Sequence, residues 1–286
     1  MPIAYPQILD VALPPEAWAW DERDCLIYAL SIGFGRDPLD TRELNYVAEG
    51  PGFRTATAFA SVIGASALLR AEVLGIDARK RVHGEARAVF HRPVPVEGTG
   101  VGRTRVIAAY DHGPRVGAAI VSRTDLTDAM GTPLATVDMT SFARGDGGFG
   151  GPNGPAPAET HPIPDRKPDA TCELETREDQ ALLYRLSGDR NPLHCDPDVA
   201  TAAGFPKPIL HGLCTYGVSC RAVLQTICDY DHTRITAFDA RFSSPVYPGE
   251  TVIVDMWVDG NVVSYRSRLK ERDVMVINNG RCVLKG

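Results

Sequence analysis

Apolar and polar residues follow two different rhythms along this chain. From Gly212 to about Cys228 the residues Leu213, Tyr216, Cys220, Val223, Leu224 and Ile227 recur every three or four positions, which predicts a helix with one apolar stripe. Beyond it, Val252, Val254, Met256 and Val258 alternate with other residues, Asp259-Gly260-Asn261 supplies a turn, and Val263, Tyr265 and Leu269 resume. That is a pattern of strands joined by a hairpin. A similar alternating region follows Gly84, with turns at Asp111-His-Gly-Pro114 and near Asp128 to Gly131. Ahead of the helix, Thr176 is placed to cap a short helix whose Ala181, Leu182 and Leu186 share a face and which Ser187-Gly188 would end. Asp196-Pro197 reads as a cap with proline in the first turn of another, stopping at Gly204.

The run Arg144-Gly-Asp-Gly-Gly-Phe-Gly-Gly-Pro-Asn-Gly-Pro-Ala-Pro resists regular structure and splits the chain near its middle. A phosphate-binding loop is the sharper reading of Gly145 to Gly151, but no Gly-Lys-Ser/Thr follows. The halves on either side match in order. Leu26-Ile-Tyr-Ala-Leu-Ser31 answers Leu182-Leu-Tyr-Arg-Leu-Ser187, Arg36-Asp-Pro-Leu-Asp40 answers Arg190-Asn-Pro-Leu-His194, and Phe90-His-Arg-Pro-Val answers Phe242-Ser-Ser-Pro-Val. The expected organisation is therefore a first repeat over 1–144, a Gly/Pro-rich linker over 145–168 and a second repeat over 169–286. Each repeat is a principal helix followed by a meander of strands. A helix must bury its apolar stripe, and a curved antiparallel sheet wrapped around it is an economical way to do so, giving an α+β fold.

Composition narrows the classes. With 286 residues, 44% hydrophobic and 23% charged, the chain can bury a sizeable core. A net charge of −6 gives no general attraction for nucleic acid. No apolar run approaches the roughly 18 residues of a membrane span. The N-terminal residues lack a basic start followed by an apolar stretch, and the seven cysteines include no C-x-x-C pair; both features lead to the expectation of a cytoplasmic protein with reduced thiols.

Chemistry concentrates in Ser187-Gly-Asp-Arg-Asn-Pro-Leu-His-Cys-Asp-Pro197, too rich in Gly and Pro to be continuous helix. In the bland reading Asp189 and Asp196 cap helices, Asn191-Pro192 makes a turn and His194 lies on the surface. The repeat separates these cases, because the first half carries Asp37 and Asp40 where the second has Asn191 and His194. A carboxylate and an imidazole on one loop suit general acid and base work. A second constellation, Pro208-Ile-Leu-His-Gly-Leu-Cys-Thr-Tyr-Gly217, opens the main helix at Gly212. Its free N–H groups can hold a developing oxyanion, while the alternative is a plain helix start with His211 as a buried hydrogen-bonding residue. Cys214, one turn into that helix, is either a thiol activated by the helix dipole or a small core residue. The seven histidines are dispersed without metal-ligand spacing, so no metal is expected.

These residues carry a resemblance. Tyr184-Arg-Leu-Ser-Gly-Asp-Arg-Asn-Pro-Leu-His194, Ala203-Gly-Phe-Pro-Lys-Pro-Ile-Leu-His-Gly-Leu213 and Ala240-Arg-Phe-Ser-Ser-Pro-Val246 resemble the MaoC-like (R)-specific enoyl-CoA hydratases, or hydratase 2, in their double hot-dog form. Glu22 to Gly35, Tyr46-Val-Ala-Glu49, Val82-His-Gly-Glu85 and the glycine linker extend the likeness to nearly the whole chain, whereas Phe53-Arg-Thr-Ala-Thr-Ala-Phe departs from the family's Pro-Thr-Phe pattern. The resemblance implies reversible hydration of a trans-2-enoyl-CoA to a (3R)-3-hydroxyacyl-CoA in fatty-acid or sterol side-chain beta-oxidation. It places the catalytic groups at Asp189, Asn191 and His194 and the oxyanion amide at Gly212. It also implies contacts to the CoA thioester from Glu49, His83, Gly84, Arg185, Arg241 and Phe242. No cofactor is implied, coenzyme A being part of the substrate. Lys207, Arg221 and Arg241 are cations near the loop for the CoA phosphates. In this family the first repeat loses its catalytic loop and receives the acyl tail, which fits Asp37 and Asp40. A hot-dog acyl-CoA thioesterase and a non-catalytic acyl-CoA-binding subunit are the competing readings, and edge pairing of hot-dog sheets leads to the expectation of a homodimer.

Overall fold

The alternating stretches of both halves join a single antiparallel sheet in the computed structural model, which describes residues 3–63, 74–76, 80–154 and 160–286. The first half supplies β1 (Glu16–Trp20), β2 (Arg81–Phe90), β3 (Gly98–Asp111), β4 (Gly117–Asp128) and β5 (Pro133–Arg144). The second supplies β6 (Ala170–Glu175), β7 (Ile235–Phe242), β8 (Thr251–Asp259), β9 (Val262–Leu269) and β10 (Met275–Leu284). Their order across the sheet is β1-β3-β4-β5-β2-β7-β10-β9-β8-β6, so the second half mirrors the first about a β2–β7 seam. The seam runs from Glu85 opposite Arg241 to Val89 opposite Ala237. Inside one chain it supplies an edge-to-edge pairing of hot-dog sheets.

The helices among the described residues are α1 (Glu22–Ser31), α2 (Thr41–Val47), α3 (Gln180–Tyr184), α4 (Pro197–Ala202) and α5 (Gly212–Ile227). The spacing predicted a single apolar stripe on α5, yet Leu213 through Leu224 are buried without interruption. This helix is surrounded, which explains the small residues on its other faces. At Gly217 a Cβ would come within 2.6 Å of Ile32 and 2.9 Å of the Tyr28 hydroxyl, so glycine lets α1 pass close to α5. Full burial of each large aliphatic side chain contributes about 1.5–3 kcal/mol, and Leu213, Val223 and Leu224 all qualify. The stretch between α2 and β2, where the principal helix of the first repeat is expected, includes residues 64–73 and 77–79, which lie outside the described residues.

Three local expectations are corrected. Thr176 does not cap α3; its hydroxyl donates to the Glu250 carbonyl at 2.7 Å, and Asp179 occupies the cap position. The buried face of α3 is Gln180, Ala181 and Tyr184, while Leu182 and Leu186 are exposed. Val258 is exposed at the end of β8, and Ile253, Asp255 and Trp257 are buried along with Val252, Val254 and Met256, because both faces of this strand are covered. The glycine linker is docked: Asp111 accepts the N–H groups of Gly148 and Gly150, each at 2.7 Å, and of Gly113 at 2.8 Å.

Candidate active site

The loop after α3 is built by short side-chain turns. Gly188, at φ +126°, reverses the backbone in a conformation that favours glycine. Asp189 Oδ1 then accepts the N–H of Asn191 at 3.1 Å, and Asn191 Oδ1 accepts the N–H of Leu193 at 3.0 Å. Pro192 opens a single 3-10 turn that drops His194 inward. His194 Nδ1 lies 2.8 Å from the Ile209 carbonyl. A carbonyl only accepts, so Nδ1 carries the proton and Nε2 keeps its lone pair.

The start of α5 faces this loop. His211 occupies the cap position but makes no side-chain bond to its own helix. Its Nε2–H instead donates to the Asp189 carbonyl at 3.0 Å. Its ring stacks on His194 with centroids 3.7 Å apart. Gly212 follows, and among the described residues no side chain caps the first N–H groups of α5, the arrangement that favours a developing negative charge. Across from Gly212 stand His83 and Phe242: a Cβ there would reach His83 Nδ1 at 3.5 Å and Phe242 at 3.6 Å. A register shift between His83 and Glu85 in the β2–β5 ladder lets His83 and Glu85 break the strand alternation.

Burial and charge set complementary states. Burial pushes the Asp189 carboxyl upward, but the His211 imidazole, the Asn191 N–H, His194 and His83 outweigh it and hold the group below its ordinary value. Burial drives His194 below its ordinary value against the opposing pull of the Ile209 carbonyl and Asp189. Burial likewise lowers His83 to about 4 and His211 to about 3. The buried imidazoles are therefore neutral near neutral pH, and Asp189 is drawn toward its ionised form by the Asn191 N–H and by any of these imidazoles that takes up a proton. Asp189, His194 and His211 also bring donor atoms within 4.8 Å of one another, the one grouping of three such residues found among the described residues. Two of their four ring nitrogens are committed to carbonyls.

These groups line a cavity of about 860 Å³ whose walls come from both halves, with β2, β3, β4 and β5 on one side and the Asp189 loop, Gly212 and the end of β7 on the other. The MaoC like domain family matches residues 159–280, and the MFE-2 hydratase 2 N-terminal domain family matches residues 18–145. Enoyl-CoA hydratase ChsH3 of Mycobacterium tuberculosis is 39% identical over 285 residues, covering 98% of each chain. Enoyl-CoA hydratase 2, peroxisomal, of Arabidopsis thaliana is 36% identical over 93% of this chain and 90% of that one. The crystal structure of a MaoC-like dehydratase from Phytophthora capsici superposes with a TM-score of 0.86 at 33% identity, covering 98% of both chains.

The chain belongs to the MaoC-like hydratase 2 family. Its sheet and helices form the double hot-dog fold. In this hydratase 2 chain Asp189, Asn191, His194, Gly212, His83, Gly84, Arg241 and Phe242 all reach the cavity. Two expected contacts do not. Glu49 is exposed just past α2, and Arg185 sits outside the lining with its Nε buried and without a hydrogen-bond partner among the described residues. Arg221 is not available for phosphates either, because it is buried in an ion pair with Glu43 at 2.5 Å. Lys207 lies over the Tyr247 ring at 5.5 Å. Burial pushes the Cys214 thiol up to about 12, so the core reading of that residue holds and the activated-thiol reading does not.

His211, Arg81 and Tyr184 were not singled out from the sequence as site residues, yet His211 touches both loop residues and the other two line the cavity. For His211 the signal was its position immediately before Gly212. The histidines looked dispersed because His83, His194 and His211 come from a strand, a loop and a helix start that meet only after folding.

Proposed function

We propose that this chain catalyses the reversible addition of water to a trans-2-enoyl-CoA, yielding a (3R)-3-hydroxyacyl-CoA in beta-oxidation of a fatty acyl or sterol side chain. The observation that carries the reading is the convergence in one cavity of an ionised Asp189, a His194 with its Nε2 lone pair available, and the uncapped helix start at Gly212. The Gly212 N–H binds the thioester carbonyl and draws electron density from the double bond, making C3 electrophilic. Asp189 and His194 Nε2 hold a water; its oxygen bonds to C3, one of its protons passes to the pair, and the pair returns a proton to C2. The Asn191 carbonyl oxygen is spent on the turn, which leaves its NH2 group to orient that water. Asp189, His194 and Gly212 supply these steps without a metal or redox cofactor.

The test follows the absorbance of the conjugated enoyl thioester with short, long and sterol-like tails. Loss of the band without release of free thiol, giving 3R product and persisting after exhaustive chelation, is the expected result. Release of free CoA would move the protein to the thioesterases, and inhibition by chelation reversed by one added cation would make the Asp189, His194 and His211 group a metal site. Two finer elements belong to the same reading, a cytoplasmic location and a homodimer. With β2 and β7 pairing inside the chain, two copies would meet through the edge strands β1 and β6. Light scattering at twice 30.9 kDa is the expected mass.

A further inference from the structure

We propose that His211 is a positioning residue that sets both acid-base groups at once, holding the Asp189 loop through its Nε2–H and the plane of the His194 ring through stacking. The proposal deepens the hydration reading and rests on it for the roles of Asp189 and His194.

His211 is 1% exposed and occupies the cap position of α5. A cap residue ordinarily turns its side chain back onto the N–H groups of its own helix. This one turns away, so the first N–H groups stay available while the imidazole reaches across to the loop. Its Nε2–H meets the Asp189 carbonyl at 3.0 Å, and two residues along the same turn the Asn191 N–H is bonded to the Asp189 carboxylate. Fixing that carbonyl therefore fixes the peptide from which the carboxylate projects. The ring lies between two others, His194 at 3.7 Å and Tyr184 at 4.9 Å between centroids. His194 is tethered at Nδ1 to the Ile209 carbonyl, and the stacked ring of His211 lies against its face and restrains its tilt.

Packing alone does not account for an imidazole at this place. His211 Nδ1 is buried without a hydrogen-bond partner among the described residues. Leaving a buried polar atom unpaired is unfavourable, and a phenyl ring would fill the slot without that cost. The imidazole is explained by the donor on its opposite side. Because His211 directly precedes Gly212, one short segment ties the carbonyl-binding helix start to the acid-base loop.

The experiment uses the full-length enzyme with His211→Phe and His211→Gln. Phenylalanine keeps a ring for the stack and removes the donor, whereas glutamine supplies an amide donor for the Asp189 carbonyl and removes the ring. The expected result for His211→Phe is a fall in kcat of about a hundredfold with KM within about threefold, as for a misplacement near 1 Å. Hydrogen exchange should quicken over 187–195 and stay unchanged over 213–227. His211→Gln should regain about tenfold in kcat over the phenylalanine variant and restore slow exchange in the loop. Should His211→Phe not fold, His211→Asn, whose shorter amide stops short of the carbonyl, takes its place with the same expectations.

A kcat within about threefold of wild type in the donor-less variant overturns the proposal. So does exchange that quickens equally across α5, which marks a merely structural role. A wild-type enzyme that hydrates no enoyl-CoA overturns the proposed function, and loop-confined exchange in His211→Phe then decides for or against the positioning role by itself.

Discussion

The turns Arg36–Asp40 and Arg190–His194 share a backbone scheme and part company at their last residue. In the first, Asp37 Oδ1 accepts the N–H of Leu39 at 2.9 Å; in the second, Asn191 Oδ1 accepts the N–H of Leu193 at 3.0 Å. Aspartate and asparagine are interchangeable in that turn, since only one side-chain oxygen is used. Asp40 then caps α2 through the N–H of Arg42, pairs with the Arg42 guanidinium at 2.9 Å and receives the Tyr230 hydroxyl at 3.2 Å. The Arg42 side-chain bond, ahead of the other contacts, holds its carboxyl down to about 2. Every oxygen of Asp40 is spent on its neighbours. His194 spends one nitrogen on Ile209 and keeps the other for the cavity. The two turns thus differ in whether the final side chain retains an uncommitted atom facing the cavity.

The sharpest way to break this comparison is to remove the uncommitted groups. His194→Ala and Asp189→Ala should each lower kcat by about 10²–10⁴-fold on the enoyl-thioester absorbance assay, the usual span for general acid-base groups. Asp37→Ala in the other turn should leave kcat unchanged, and an equal loss there would end the distinction. Next in size is the ion pair between the halves. Glu43→Ala strips the buried Arg221 of its carboxylate, both side chains being 6% exposed or less, and should cost about 3–5 kcal/mol in urea unfolding. Smaller is Asp40→Ala, which removes a helix cap and should cost about 1 kcal/mol with unaltered kcat per folded molecule. The pH profile follows: with His194 lowered, the acid limb of kcat/KM should have its midpoint below the ordinary histidine value of about 6.5, as His194 gains a proton. A midpoint above that value would contradict the neutral-imidazole assignment. The smallest expected effect sharpens the contrast: Asp37→Asn with Asp40→His, in the His194→Ala background, should recover no turnover, because neither position lines the cavity that holds Gly212.

Much of this was legible in the residues. The alternation after Gly84 and after Gly249 locates the strands, and Asp196-Pro197 caps α4 as expected, with Asp196 accepting the N–H groups of Asp198 and Val199. The repeat shows in the sequence itself that only one of the two turns carries histidine. What was not legible depends on distant partners. Thr176 looks like a cap until Glu250, far along the chain, offers its carbonyl. Arg221 reads as a free cation near the loop until α2 brings Glu43 to it. Glu49 sits in a stretch resembling the family, but the end of α2 turns it to solvent. His211 was legible as a buried hydrogen-bonding residue at the helix start, and it is one, but its partners lie on another segment and could not be named. Local chemistry shows in the sequence, whereas the choice among several partners is made by the tertiary fold.

The seam between β2 and β7 also dictates an order of events during synthesis. All of β3 to β6 emerges between Phe90 and Ile235, and at ordinary elongation rates that takes on the order of ten seconds. Throughout that interval β2 is an edge strand with unpaired backbone groups, the kind of template on which nascent chains aggregate. Glu85 and Arg87, joined to each other at 2.8 Å on one face of β2, put charge on that edge before its partner exists. A strand destined for the middle of the sheet is thus dressed like one at its border, and it serves in both positions in turn.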